Sequence, residues 1–162
     1  MESTQQSDRE TYRAIVLGQG ENELFTRLQS DGVNEVRTMR FLVLKAYLKL
    51  IYFDLYLARA DFAVLYDKIR NYPLGETTPA PDAVERICSA ADMACIWYWK
   101  EVLCLQRSAA TSCLLKSQGI FAQMVIGAQQ LPFKSHAWVE VDGRVVNDKT
   151  YVPEMYAVLD RC

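Results

Sequence analysis

The chain has 162 residues, 51% of them hydrophobic and 23% charged, with a formal net charge of −2. That length suits one compact domain with room for a helical extension, and the composition is globular rather than disordered. A weakly acidic chain without a basic patch, zinc-finger or RNP-type motif is not a general nucleic-acid binder.

The polar, acidic start MESTQQSDRE is not a secretory signal. Five cysteines without CxxC spacing read as reduced thiols in a cytoplasmic protein rather than a disulfide frame. One histidine and no paired-cysteine motif argue against a metal centre, and no cofactor motif is complete. Residues 1–10 are expected to fray. In AIVLGQGENE, 14–23, Gly18 and Gly20 suggest a phosphate loop, but Glu23 stands where a third glycine belongs and no Gly-Lys-Ser/Thr follows. A turn after a short strand or helix is expected there.

Residues 36–70 contain no Gly or Pro and read as one long helix or two with a bend. Lys45, Lys49, Asp54, Arg59 and Asp61 interrupt it too often for a membrane span. Leu44, Leu48, Ile51 and Leu55 form one apolar stripe, while Tyr47, Leu50, Tyr52 and Tyr56 occupy other faces. Two readings remain for the extra faces: deep packing on the C-terminal half, or docking of a partner protein, a peptide or the membrane interface. NYPLGETTPAPD, 71–82, is a loop. Asp82 with Glu85 suggests a capping box for a helix carrying Val84, Ile87, Cys88, Ala91, Cys95 and Tyr98. Residues 104–119 form a second helical pattern ending at Gly119 in the left-handed conformation. FAQMVIGA, 121–128, reads as a buried strand, QQLPF turns the chain, and SHAWVEV and RVVND form a hairpin around Asp142-Gly143. Helices followed by hairpin-linked strands predict an α+β fold with an antiparallel sheet.

The hairpin permits two registers. A two-residue Asp142-Gly143 loop pairs Val141 with Arg144 and sets Asp148 opposite Ala137, on the wrong face for His136. A three-residue loop pairs Glu140 with Arg144 and sets His136 opposite Asp148. The second is favoured because it also places opposite charges across from each other. Asp148 could then fix the tautomer of His136, the sole histidine. Cys104 is the candidate nucleophile: it begins a helical run, where unpaired N–H groups favour a thiolate. Cys88, Cys95 and Cys113 fall on apolar helical stripes, and Cys162 is terminal and expected to be mobile. The order Cys104, His136, Asp148 on a helix followed by strands suits a cysteine hydrolase.

Cys-Leu-x-Arg-Ser at 104–108, Gly119, Ile-Gly at 126–127, Phe133 and His-Ala-Trp-Val-Glu-Val-Asp-Gly at 136–143, closing on Asn-Asp at 147–148, resemble the transglutaminase-like leader peptidases of lasso peptide biosynthesis. The resemblance is strong over 84–160 and diffuse over 36–72; residues 1–35 match nothing in it. It implies a transglutaminase-like, papain-like minimal core, with a nucleophile helix on a small antiparallel sheet. Residues 81–162 would be the catalytic region and 1–80 a mainly helical N-terminal region. It further implies Cys104 as nucleophile, His136 as base and acid and Asp148 as orienting carboxylate. The substrate would be a precursor peptide, delivered by a separate leader-binding recognition-element protein, with an ATP-dependent lasso cyclase acting on the freed amine. The Cys104 N–H is expected to donate to an oxyanion, with a second donor from Trp97–Trp99, and Trp138 to form a wall of the site. Acyl transfer to an amine and a non-catalytic scaffold in a maturation complex are the alternatives.

Overall fold

The computed structural model describes residues 34–59 and 62–162. The expectations for residues 1–10 and 14–23 lie outside the described residues. The chain divides into two units, Met1–Thr38 and Met39–Cys162.

Helix α1 covers residues 34–59. The face it buries carries Ala46, Leu50 and Phe53, while Leu44, Leu48 and Leu55 stay about half exposed. The stripe of Leu44, Leu48 and Leu55 therefore lies largely outside. The sequence offers two apolar stripes at helical spacing, and the neighbouring elements select one. Helix α2, Phe62–Arg70, adds Leu65 and Ile69 to the same core. The loop after it is pinned where the Gly75 N–H donates to the Lys116 carbonyl at 2.7 Å.

Helix α3, Ala83–Ile96, starts where expected, but Asp82 makes no side-chain cap. Its carboxylate pairs instead with Arg86 at 3.5 Å, one turn on. Helix α4, Cys104–Ser117, is the central element: Gln106 and every residue from Ser108 to Lys116 are buried. It packs against β1 and β2 and meets α3 and α2. Gly119 closes it with φ +78°, as expected.

The sheet has the order β3-β2-β1-β4, all antiparallel. Its strands are β1 (Ala122–Gln129), β2 (Lys134–Val141), β3 (Arg144–Val145) and β4 (Ala157–Arg161), with a short helix α5 (Val152–Met155) before β4. The β4 strand was not expected. It carries the chain end into the sheet, where Cys162 exchanges two backbone hydrogen bonds with Met124, at 2.7 and 2.9 Å. Cys162 is buried rather than mobile. Among the described residues no helix is long and apolar enough to cross a membrane.

The hairpin register differs from the favoured one. Val141 pairs with Arg144 and Glu140 with Val145, so the loop is Asp142-Gly143 alone. Both loop residues have positive φ, 50° and 74°, the signature of a type I′ turn. Asp tolerates that conformation and the turn matches the twist of the strands. The charge pair that favoured the longer loop is worth only a few tenths of a kcal/mol to about 1 kcal/mol. Glu140 has other partners: it accepts from Trp138 Nε1 at 2.8 Å and binds Arg161 of β4.

Candidate active site

His136 lies near the start of β2, opposite Gly127 of β1. It shares a strand face with Trp138, whose ring it stacks upon at 6.3 Å between centroids, and Tyr156 closes on it at 5.3 Å. A Cβ on Gly127 would come within 2.8 Å of both the Trp138 ring and Tyr156, so glycine there lets the two aromatics meet behind the histidine. Trp138 is fully buried and supports the imidazole from behind rather than forming an open wall.

The expected partnership of His136 with Asp148 is present, by a route that the sequence did not suggest. His136 Nε2 stands 2.8 Å from Asp148 Oδ2. Burial pushes the Asp148 carboxyl up, but the Lys149 N–H, the hydrogen bond and charge of His136 and the more distant Arg107 outweigh it and hold the carboxyl below its ordinary value. Asp148 is therefore an ionised acceptor, which requires the proton on Nε2 and leaves Nδ1 as the basic nitrogen. In the two-residue-loop register a continuing strand would set Asp148 opposite Ala137. Instead β3 ends at Val145, the Val146 N–H makes a last bond to the Val139 carbonyl at 3.0 Å, and the chain bends out of the ladder.

Cys104 is the first residue of α4, after Leu103 in extended conformation, and is partly exposed. Its N–H has no acceptor within the helix. Burial raises the thiols of the other four cysteines, Cys88 and Cys113 to about 11 and Cys95 and Cys162 also upward. Ser108, one turn after Cys104 on the same side of the helix, donates to the Ala137 carbonyl at 2.9 Å. Ser112, a turn further, donates to the Ala122 carbonyl, and Ala122 pairs with Val141. Thus α4 runs in the direction of β2, and Cys104 lies toward the His136 end. Ala137 and Val139 point to the face opposite His136, so α4 binds β2 on the side away from the imidazole ring.

Arg107 binds Asp92 of α3 at 2.5 Å, a structural tie between helices. Gln106 donates to the Leu50 carbonyl of α1 at 3.0 Å. Trp97 and Tyr98 give their N–H groups to the Met93 and Cys95 carbonyls at the end of α3, so neither is a free oxyanion donor. Among the described residues no group of three or more His, Cys, Asp or Glu is placed to hold a metal ion.

A family model described as the transglutaminase-like superfamily matches residues 47–161, from within α1 to the end of β4. The chain belongs to the transglutaminase-like superfamily. The α+β architecture, a helix headed by a cysteine against a small antiparallel sheet, is thus the transglutaminase-like fold of this chain. This transglutaminase-like chain is also 43% identical over 56 residues to the microcin J25-processing protein McjB of Escherichia coli. That stretch covers 35% of this chain and 27% of the relative. No solved structure matches the chain.

Two structural features of the candidate site have no counterpart in the sequence reading. Tyr156 against His136 gave no signal, because its spacing from the motif is irregular. Asn147 is legible in sequence only as half of an Asn-Asp pair; in the structure its side chain accepts from the Val139 N–H and donates to Ser108 Oγ.

Proposed function

We propose that this protein is a cysteine peptidase that cuts the leader from a ribosomally made lasso precursor peptide, using Cys104, His136 and Asp148 within the region 81–162. The observation that carries the reading is the His136–Asp148 pair at 2.8 Å, near the start of β2, the end of that strand nearer the cysteine that heads α4. The partial likeness to a protein named for processing microcin J25 supports peptide maturation as the setting.

In this mechanism His136 Nδ1 takes the Cys104 proton, while the Nε2–H donates to Asp148. The sulfur attacks the carbonyl carbon of the last leader residue, and the Cys104 N–H receives the developing oxyanion. The C–N bond breaks as the imidazolium protonates the leaving amine, which becomes the N-terminus of the core peptide. His136 then takes a proton from water, whose oxygen attacks the thioester. Leader carboxylic acid departs and the thiol is restored. Asp148 steadies the imidazolium in both halves of the cycle. A leader-binding recognition-element protein brings the precursor, and a separate ATP-dependent cyclase uses the freed amine.

The test is mass spectrometry of a precursor peptide incubated with this protein and the leader-binding protein. One cut yielding free leader and core, absent with Cys104→Ala and with His136→Ala, is the expected result. A leader joined to an amine would mean acyl transfer instead, and an intact precursor with folded protein and partner present would mean a scaffold.

A further inference from the structure

Between α4 and the edge of β2 lies a closed set of buried hydrogen bonds. The Val139 N–H donates to Asn147 Oδ1 at 2.7 Å, Asn147 Nδ2 donates to Ser108 Oγ at 3.0 Å, and the Ser108 hydroxyl donates to the Ala137 carbonyl at 2.9 Å. Ser108 is 1% and Asn147 5% exposed. These bonds fall on ladder positions. Continued beyond its two observed pairs, Val141 with Arg144 and Glu140 with Val145, this register would set Val139 opposite Val146 and Ala137 opposite residue 148. A regular strand would satisfy the Val139 N–H with the Val146 carbonyl and the Ala137 carbonyl with the Asp148 N–H. The Asn147 side chain replaces the first acceptor and the Ser108 hydroxyl replaces the second donor.

The substitution has a consequence for chemistry. With both β2 groups satisfied, the chain leaves the sheet after Val146 without stranding a buried polar group, which would cost about 1–3 kcal/mol. Asp148 is released from the place opposite Ala137 and reaches the imidazole. The edge of β2 that a longer β3 would cover is opened to the first turns of α4. The geometry points to Asn147 as a positioning residue, acting with Ser108, that sets the His136–Asp148 pair and registers the head of α4 against it. Its relevance to turnover rests on the triad proposed above. Asparagine suits the position because one side chain must accept from Val139 and donate to Ser108.

The sole histidine makes the test direct, because nitrogen-15 NMR of the labelled full chain shows one imidazole. The protein should show a single Nε2–H tautomer donating to a carboxylate. Asn147→Ala should blend the tautomers as Asp148→Ala does, and lower kcat for precursor cleavage about ten- to hundredfold with KM within about threefold. Ser108→Ala introduces a good helix former, so it keeps α4 helical if Asn147→Ala does not fold, and should move the spectrum the same way. The double variant should lose no more than the worse single one, because the two groups act as one unit. A folded Asn147→Ala or Ser108→Ala with the parent imidazole spectrum would overturn the assignment. If Asp148→Ala collapses the tautomer but leaves turnover intact, the triad falls, while the spectrum still decides whether Asn147 sets the pair.

Discussion

Asp148 joins the candidate site to the stability of the fold. Its carboxyl sits below its ordinary value because the Lys149 N–H and His136 outweigh the upward push of burial. A depressed carboxyl stabilises the folded state above the unfolded pKa, about 3.9, and that contribution is lost as pH falls through the depressed value. The expected outcome is an acid-dependent difference between the protein and Asp148→Asn. Thermal or urea unfolding should show the variant weaker near neutral pH, with the gap closing once the solution is well below pH 4. A constant gap across that range would mean the carboxylate has no favourable folded partner. The same residue scale separates the cysteines: burial keeps four of them protonated at neutral pH, and Cys104 alone heads a helix.

Among the elements, α4 is decisive because it is buried along almost its whole length although its sequence carries Gln106, Ser108, Thr111, Ser112 and Lys116. Each polar side chain finds a main-chain carbonyl. Gln106 reaches Leu50 in α1, Ser108 reaches Ala137 in β2, Thr111 turns back to Arg107, Ser112 reaches Ala122 in β1 and Lys116 reaches Ile69 in α2. Four of these bonds bind the helix to a different element, so the polar residues fix its axial position as apolar contacts alone would not. Lys116 is the most exacting: burial lowers its pKa, and its ammonium donates at 2.7 Å to a carbonyl in the last turn of α2. Lys116→Ala should destabilise the fold by about 1–3 kcal/mol, through the carbonyl left without its donor and the space left by the stem. Chemical denaturation measures it, and a loss under about 0.5 kcal/mol, the level of a surface substitution, would deny the bond its structural weight.

Over the whole molecule, the last residues are tied into the sheet and Cys162 among them reaches the core. β4 pairs with β1, Cys162 bonds Met124 in both directions, and Arg161 binds Glu140 of β2 across the intervening strand. Glu140 is 6% exposed and also receives Trp138 Nε1, the indole that lies behind His136. Removing the arginine leaves a buried carboxylate with one neutral donor. Arg161→Ala should therefore cost more than the roughly 1 kcal/mol of an exposed ion pair, and Glu140→Gln in the same chain should recover part of the loss. Melting temperatures of the two single variants and the double variant test this; strictly additive losses would show that the pair is uncoupled.

The sequence by itself determined the local alphabet of this protein: the cysteine at a helix start, Gly119 at that helix's end, the Asp-Gly turn, the apolar strands and the order of Cys104, His136 and Asp148. These are short-range matters of backbone conformation and periodicity, set by residues within a few positions of one another. Only the tertiary structure decided which stripe of α1 is buried, that α4 has almost no wet side, that Cys162 closes a sheet, and where Asp148 goes after β3. Each depends on partners distant in sequence. The hairpin shows the division most clearly. Turn chemistry selected the two-residue loop, which by sequence reasoning carried Asp148 away from His136. Hydrogen bonds from Asn147 and Ser108 then took the places of strand neighbours and let the chain turn back to it. A ladder position can be filled by any donor or acceptor that tertiary packing delivers, and the strand's own sequence does not specify which.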